Sequence, residues 1–279
     1  GGQWQGAADG LPNSHWTMVG SGVTLTADAI GDGDGGRIVI WSDDGTAFAG
    51  LASATGGRVG GDGGAIEVSG KQRLWMRGQV DASSEHGIVG TVLLDPDNIH
   101  IVEAPLGDGT LDDELTFPTD SELESTVAND GVNTVTVAQL QTFGATSDVV
   151  LAATGDIVIE DLASNLLALS VQSLTLRSTG GSIRVEGADD LIRVTGGELN
   201  FHAAGDIDVA AEVQTIGGDI VWTSDNGNIF ATNTDGVTAG FGDIRWTAGP
   251  FGTIRAFGDL AATGLPVVKR GDVILTGDV

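Results

Sequence analysis

One short pattern recurs along this chain: a glycine, one residue, then Ile or Val opening a run of apolar residues. It reads Gly36-Arg37-Ile38-Val39-Ile40-Trp41, Gly64-Ala65-Ile66-Glu67-Val68, Gly155-Asp156-Ile157-Val158-Ile159 and Gly181-Ser182-Ile183-Arg184-Val185. It continues as Gly205-Asp206-Ile207-Asp208-Val209, Gly218-Asp219-Ile220-Val221-Trp222, Gly242-Asp243-Ile244-Arg245-Trp246 and Gly271-Asp272-Val273-Ile274-Leu275. The runs are four to six residues long and rich in Ile, Val, Leu, Thr and Trp, which is the signature of short half-buried strands. Eleven Gly-Asp dipeptides are present, most directly before such a run. Glycine reaches positive φ cheaply and Asp is expected to bond its own backbone, so the step reads as a turn.

The spacing selects the fold. Ile157, Ile183 and Ile207 lie 26 and 24 residues apart, with further strand-like runs between them at Leu167–Val171, Leu174–Arg177, Leu191–Val194 and Leu199–His202. Two or three short strands per ~25 residues is the period of a β-solenoid coil. After Ile207 the steps shorten to 13, 9, 15, 10 and 19 residues, so successive matches there mark different sides of the same coils. A β-sandwich has a similar strand density but favours hairpin turns and strict alternation. The expected fold is therefore all-β, an elongated right-handed parallel β-solenoid. Roughly 10–13 coils stacked ~4.8 Å apart would make a rod ~50–60 Å long.

Composition narrows the function. The net charge is −27, from 12 basic and 39 acidic residues, of which 29 are Asp. A surface of that sign repels phosphate backbones, so no nucleic-acid partner is expected. No cysteine is present, which removes disulfides and thiolate metal sites. The 45 glycines do not recur at every third residue, so collagen is excluded. No apolar stretch is long enough for a membrane helix. The chain opens at Gly1 without Met and stops inside a strand-like pattern, and it is expected to be a mature or excised piece of a longer, exported protein.

One region lacks the repeat. Residues 1–104 and 146–279 read as solenoid segments, and 105–145 as an excursion of loop and short helix. Within it, Thr119-Asp120-Ser121-Glu122-Leu123-Glu124 has a capping residue and early acids, predicting a one- to two-turn helix. A second short helix is predicted over Val137–Phe143, ending at Phe143-Gly144.

Residues 1–102 resemble a recurring segment of filamentous haemagglutinin-type exoproteins, the passengers of two-partner secretion in Gram-negative bacteria. The resemblance rests on Gly1-Gly2-Gln3-Trp4-Gln5-Gly6, Leu11-Pro12-Asn13, the run Gly31–Ser42, the run Gly60–Lys71 and Gly90-Thr91-Val92-Leu93-Leu94-Asp95-Pro96-Asp97-Asn98-Ile99. The stretch Val149–Ile157 is similar to a later part of the same family. The resemblance implies a right-handed parallel β-helix, passage through an outer-membrane secretion partner, and an adhesive or fibrous role at the outer cell surface. The family's amino-terminal secretion domain is not evident. Arg270-Gly271-Asp272 has the letters of an adhesive signature but opens a predicted strand, and is read as a coil corner.

Candidate chemistry is sparse. Asp206 with Asp208, or Asp189 with Asp190, would suit the paired carboxylates of a carbohydrate-active enzyme on a pectin-lyase-like β-helix; the reading preferred is a corner residue beside a solvent-facing one. His15, His86, His100 and His202 are dispersed and suggest no metal set. Weak calcium binding is conceivable at Asp32 and Asp34, at Asp95 and Asp97, or at Asp108 with Asp112 and Asp113, although no calcium-loop motif occurs. Trp41, Trp222 and Trp246 follow repeat isoleucines and share their side of the strand only approximately, so they read as ladder packing before a sugar-binding strip. Thr24-Leu25-Thr26 and Thr134-Val135-Thr136 form no stacked ice-binding array. No catalytic, cofactor or metal residue is assigned. The expected function is non-enzymatic: a rod-like segment of a secreted surface adhesin, or a filament subunit that self-associates end to end. Its expected partners are a cell-surface glycan or receptor, and the secretion partner.

Overall fold

A computed structural model describes residues 4–6, 12–103, 132–144, 146–170, 172–263 and 273–276. The predicted helix at 119–124, the calcium candidates Asp108, Asp112 and Asp113, and Arg270-Gly271-Asp272 lie outside the described residues. Almost all regular structure is strand, and the paired strands run parallel in stacked coils, which makes the fold a β-solenoid and excludes the sandwich. The stack has about nine turns, fewer than the 10–13 expected. Some coils are longer than the repeat suggests, with 28 residues between the paired Arg37 and Ala65, and the segment at Val137–Gly144 is helical. Contacts divide the chain into two compact units, Gly1–Ile99 with Ala104–Val150, and His100–Glu103 with Leu151–Val279.

The second unit shows the coil most clearly. Each turn has three strands, and equivalent strands stack into three faces. Face I holds Ser173–Ser178, Glu198–Ala203, Ile220–Ser224, Ile244–Thr247 and Val273–Thr276. Face II holds Ile157–Ile159, Ile183–Val185, Ile207–Val209, Ile229–Ala231 and Ile254–Ala256. Face III holds Leu166–Ser170, Leu191–Thr195, Glu212–Ile216, Val237–Gly240 and Leu260–Thr263. The shortened steps after Ile207 are explained by this arrangement: Ile220 and Ile244 lie on face I, Ile229 and Ile254 on face II.

Inside, each lane is filled by like residues. Ile157, Ile183, Ile207 and Ile229 are fully buried in one lane. Leu176, Phe201, Trp222 and Trp246 follow one another in another. The rings of Phe201 and Trp222 stack at 5.4 Å, and those of Trp222 and Trp246 at 4.4 Å with 6° between their planes. Parallel pairing without register drift places identical side chains over one another, so flat rings stack instead of interdigitating.

The first unit repeats the scheme on Arg37–Ser42, Ala65–Gly70 and Thr91–Leu94. Ile66, Val68, Val92 and Leu94 fill its interior. Strands Trp16–Val19, Gly45–Phe48 and Arg73–Met76 make a second face, and Thr24–Thr26, Leu51–Ser53 and Gln79–Asp81 a third. The predicted short helix is present as α1, Val137–Gly144. It buries Leu140 and Phe143, and the Gln139 amide donates to the Gly78 carbonyl at 2.8 Å, which docks it beside Gln79–Asp81.

Candidate functional site

The coil corners use the acidic residues differently from the sequence expectation. Asp81 does accept a bond from the N–H two residues on, at Ser83. Six others instead accept the backbone N–H of the next coil. On the edge of face II, Asp156 Oδ1 accepts from Ser182 at 2.8 Å, Ser182 Oγ from Asp206 at 3.1 Å, Asp206 Oδ1 from Asn228 at 2.7 Å, and Asn228 Oδ1 from Thr253 at 2.9 Å. Asp219 holds Asp243 in the same way on the edge of face I. In the first unit Asp28 holds Thr55, Asp34 holds Asp62, and Asp62 holds Ile88. The short Asp side chain spans the gap between coils and satisfies an amide that a sharp corner would leave without a partner.

Asp34 and Asp62 also line a shallow open groove with Arg37, Ile88 and Thr91, floored by Gly35, Gly36, Gly63 and Gly64. Its two carboxylates each commit one oxygen to the ladder.

A cluster of ionisable side chains lies on face II. His100 Nδ1 and Glu160 Oε1 are 2.5 Å apart, and the Arg184 guanidinium donates to Asp156 at 2.9 Å. Glu186 titrates above the ordinary carboxylate range, because of partial burial and then the like charge of Glu160. Asp208 is also raised, by burial first and by Asp206 second. Asp156 is lowered: burial pulls it up, but the Ser182 N–H and Arg184 outweigh that. Arg184 pairs in register with Asp208.

Asp206 is a corner residue that accepts the Asn228 N–H, and Asp208, two residues on, is exposed and near enough to feel its charge. Asp189 is exposed, whereas Asp190 is buried and accepts the Leu162 N–H at 3.0 Å. His15 bonds Asp44 and His202 bonds Asp225, each at 3.0 Å, and His86 is on an exposed loop. Among the described residues no group of three or more His, Cys, Asp or Glu side chains is placed to hold a metal ion. Trp222 and Trp246 are fully buried, so neither belongs to a sugar-binding strip. Both lie two residues after a face I isoleucine and share its inward side fully. Trp41 lies three after Ile38, on the opposite side, where it is nearly buried. Trp75 is buried beside the partly exposed Trp16, with centroids 6.3 Å apart.

Sequence reasoning missed Glu67. It occupies a polar position of the alternating run Ala65–Gly70 and reads as solvent-facing, yet it is 0% exposed. The turn Trp4–Gly6 lies over it. The Gln5 N–H donates to Oε2 at 2.8 Å and the Ser69 hydroxyl to Oε1 at 3.2 Å. The Arg37 guanidinium sits 5.4 Å from the Trp4 ring centroid. A Cβ on Gly6 would come within 2.5 Å of the Trp41 ring, so only glycine allows this close approach. Burial pushes Glu67 up to about 7, against the bonds from Gln5 and Ser69. The covering contact is 62 residues away in sequence, beyond any local pattern.

No protein-family model matches the chain, and a search of curated proteins finds no match.

Proposed function

We propose that the chain is a non-enzymatic β-solenoid segment of an extracellular protein with a structural or adhesive role at the surface of a Gram-negative bacterium. One observation carries the non-enzymatic part of this reading. Six corner aspartates, Asp28, Asp34, Asp62, Asp156, Asp206 and Asp219, each hold a backbone amide of the next coil, and of the carboxylate pairs legible in sequence Asp206 and Asp190 are taken up by backbone amides. The extracellular and adhesive parts rest on the resemblance of residues 1–102 to filamentous haemagglutinin-type exoproteins, whose secretion partner, receptor or glycan would then be the partners here. End-to-end self-association into a filament is the alternative.

The test is direct. The purified chain is applied to host-cell and glycan surfaces and, in parallel, incubated with neutral and acidic polysaccharides. Saturable binding without shortened or unsaturated products is expected. Product formation that disappears in Asp208→Asn or Glu186→Gln would overturn the reading in favour of a carbohydrate-active enzyme using face II.

A further inference from the structure

We propose that the turn Trp4–Gly6 is a pH-released strap: it lies closed over Glu67 while that side chain is a neutral acid, and it lifts to let the carboxylate reach water, uncovering the outer side of Arg37–Ser42 and Ala65–Gly70. The strap is a local device of the first unit and does not rest on the adhesive reading above.

Register places the acid where a charge has no partner. Ile66, Val68 and Val92 point inward, so alternation turns Glu67, Ser69 and Leu93 outward. Glu67 stands beside Val39 on one side and Leu93 on the other, and Ser69 stands beside Trp41. Glu67 and Ser69 are nevertheless fully buried, because the turn Trp4–Gly6 packs on both strands. Among the described residues no Lys, Arg or His lies within ion-pair distance of Glu67.

The charges around the acid do not rescue it. The turn itself carries none. Arg37, on the first strand, sets its guanidinium against the Trp4 ring. Asp95, just past Thr91–Leu94, brings a like charge. Asp43, just past Arg37–Ser42, is taken up by the Asn13 amide at 3.1 Å, which also reaches the Gly6 carbonyl at 3.4 Å. Burial is the largest influence on Glu67, Asp95 adds to it, and the bonds from Gln5 and Ser69 with the more distant Arg37 oppose it.

The strap is also held against its own backbone preference. Gln5 has φ 57° and ψ 39°, a left-handed conformation that a side-chain-bearing residue keeps only where its surroundings enforce it. What enforces it is the Gln5 N–H on Glu67, the Trp4 ring under Arg37 and the Asn13 tie to Gly6. Closed, the acid keeps its proton up to about 7; lifted, it returns to water and to an ordinary 4.5. The hold of the strap is therefore whole below about 4.5, weakens as pH rises and levels off above about 7.

Hydrogen exchange at the Gln5 amide tests this, followed by NMR on the full chain at about pH 5 and about pH 8 and divided by the rate of a free amide at each pH. The protection of Gln5 is expected to fall on the order of a hundredfold between the two, while the amide of the buried Ile66 stays protected. Glu67→Gln keeps an acceptor for Gln5 and removes the charge, so it should hold the strap closed at both. Protection of Gln5 in the parent chain that does not change with pH would overturn the proposal, whether or not the variant folds. So would joint loss of protection at Gln5 and Ile66, which marks unfolding of the coil, or a fall that persists in Glu67→Gln, which marks another titrating group.

Discussion

Asp206 sits in a lane of five corner residues, 156, 182, 206, 228 and 253, in which each side chain before Thr253 accepts the backbone N–H of the next. The lane needs an acceptor of short reach, and a negative charge is incidental to it. Asn228 does the same work uncharged. Asp206→Asn should thus leave stability within about 0.5 kcal/mol, whereas Asp206→Ala should cost about 1–2 kcal/mol by leaving the Asn228 amide unpaired; urea unfolding of both variants measures the difference. Glu67 makes the opposite case, a charge in a place that disfavours it. Its carboxyl titrates near 7 in the fold against an ordinary 4.5, so between those values the folded state holds the extra proton. Its contribution to stability is fully present below about 4.5 and is lost as pH rises through about 7. The loss is on the order of 3 kcal/mol. Glu67→Gln keeps the acceptor for Gln5 and removes the charge. The variant should exceed the parent in stability at pH 8, match it near pH 4.5, and flatten the slope between them in denaturant titrations.

At the scale of the strand, the stacked lane Phe201–Trp222–Trp246 tests how the interior is held. Truncating Trp246 or Trp222 to Ala removes a stacked ring from a dry interior and should cost about 3–5 kcal/mol. Trp222→Phe should cost far less than its change in volume suggests. The indole N–H of Trp222 is buried without a partner, so the substitution also removes an unsatisfied donor, and Phe201 already fills the lane one coil away. Calorimetric melts of the Ala and Phe variants separate the two effects. The strands themselves were legible in sequence because alternation and a β-branched composition are local, and α1 was legible from its Gly144 ending. Three things were not. The side of Trp41 against that of Trp222 depends on one residue of offset from the repeat isoleucine. The burial of Glu67 depends on a turn 62 residues away. The reach of the corner aspartates into the next coil depends on which residues stack, which a repeat of irregular length conceals. The charged face II has the same origin: His100, Glu160 and Glu186 are gathered by stacking, and no spacing in the sequence marks them as neighbours.

For the molecule as a whole, charge is the term that the coils cannot distribute freely. Twelve basic residues face 39 acidic ones, and the corner lanes set carboxylates one coil apart, as with Asp34 and Asp62 or Asp219 and Asp243. Like charges at the ~4.8 Å spacing of adjacent strands repel by about 1 kcal/mol in water before screening. Unfolding separates them. Arg245 between Asp219 and Asp243, and Arg184 against Asp156, offset this locally, but the basic residues are too few to do so throughout. Raising the salt from ~0.01 M to ~0.15 M shortens the screening length from ~30 Å to ~8 Å, which weakens the repulsion across coils more than it weakens the close, partly shielded ion pairs. A fold held by surface salt bridges would lose stability under that change. This one should gain it, with a Tm that climbs by several degrees and then levels off, followed by circular dichroism melts at fixed pH. The same melts at low salt should shift upward as pH falls from 7 toward 5, because Glu67, pushed up to about 7 by burial, takes up its proton in the fold across that window. A Tm that stays flat or falls with salt would mean that the corner carboxylates are neutralised by pairing, and that the amide ladder, not the electrostatic balance, sets the stability of the coils.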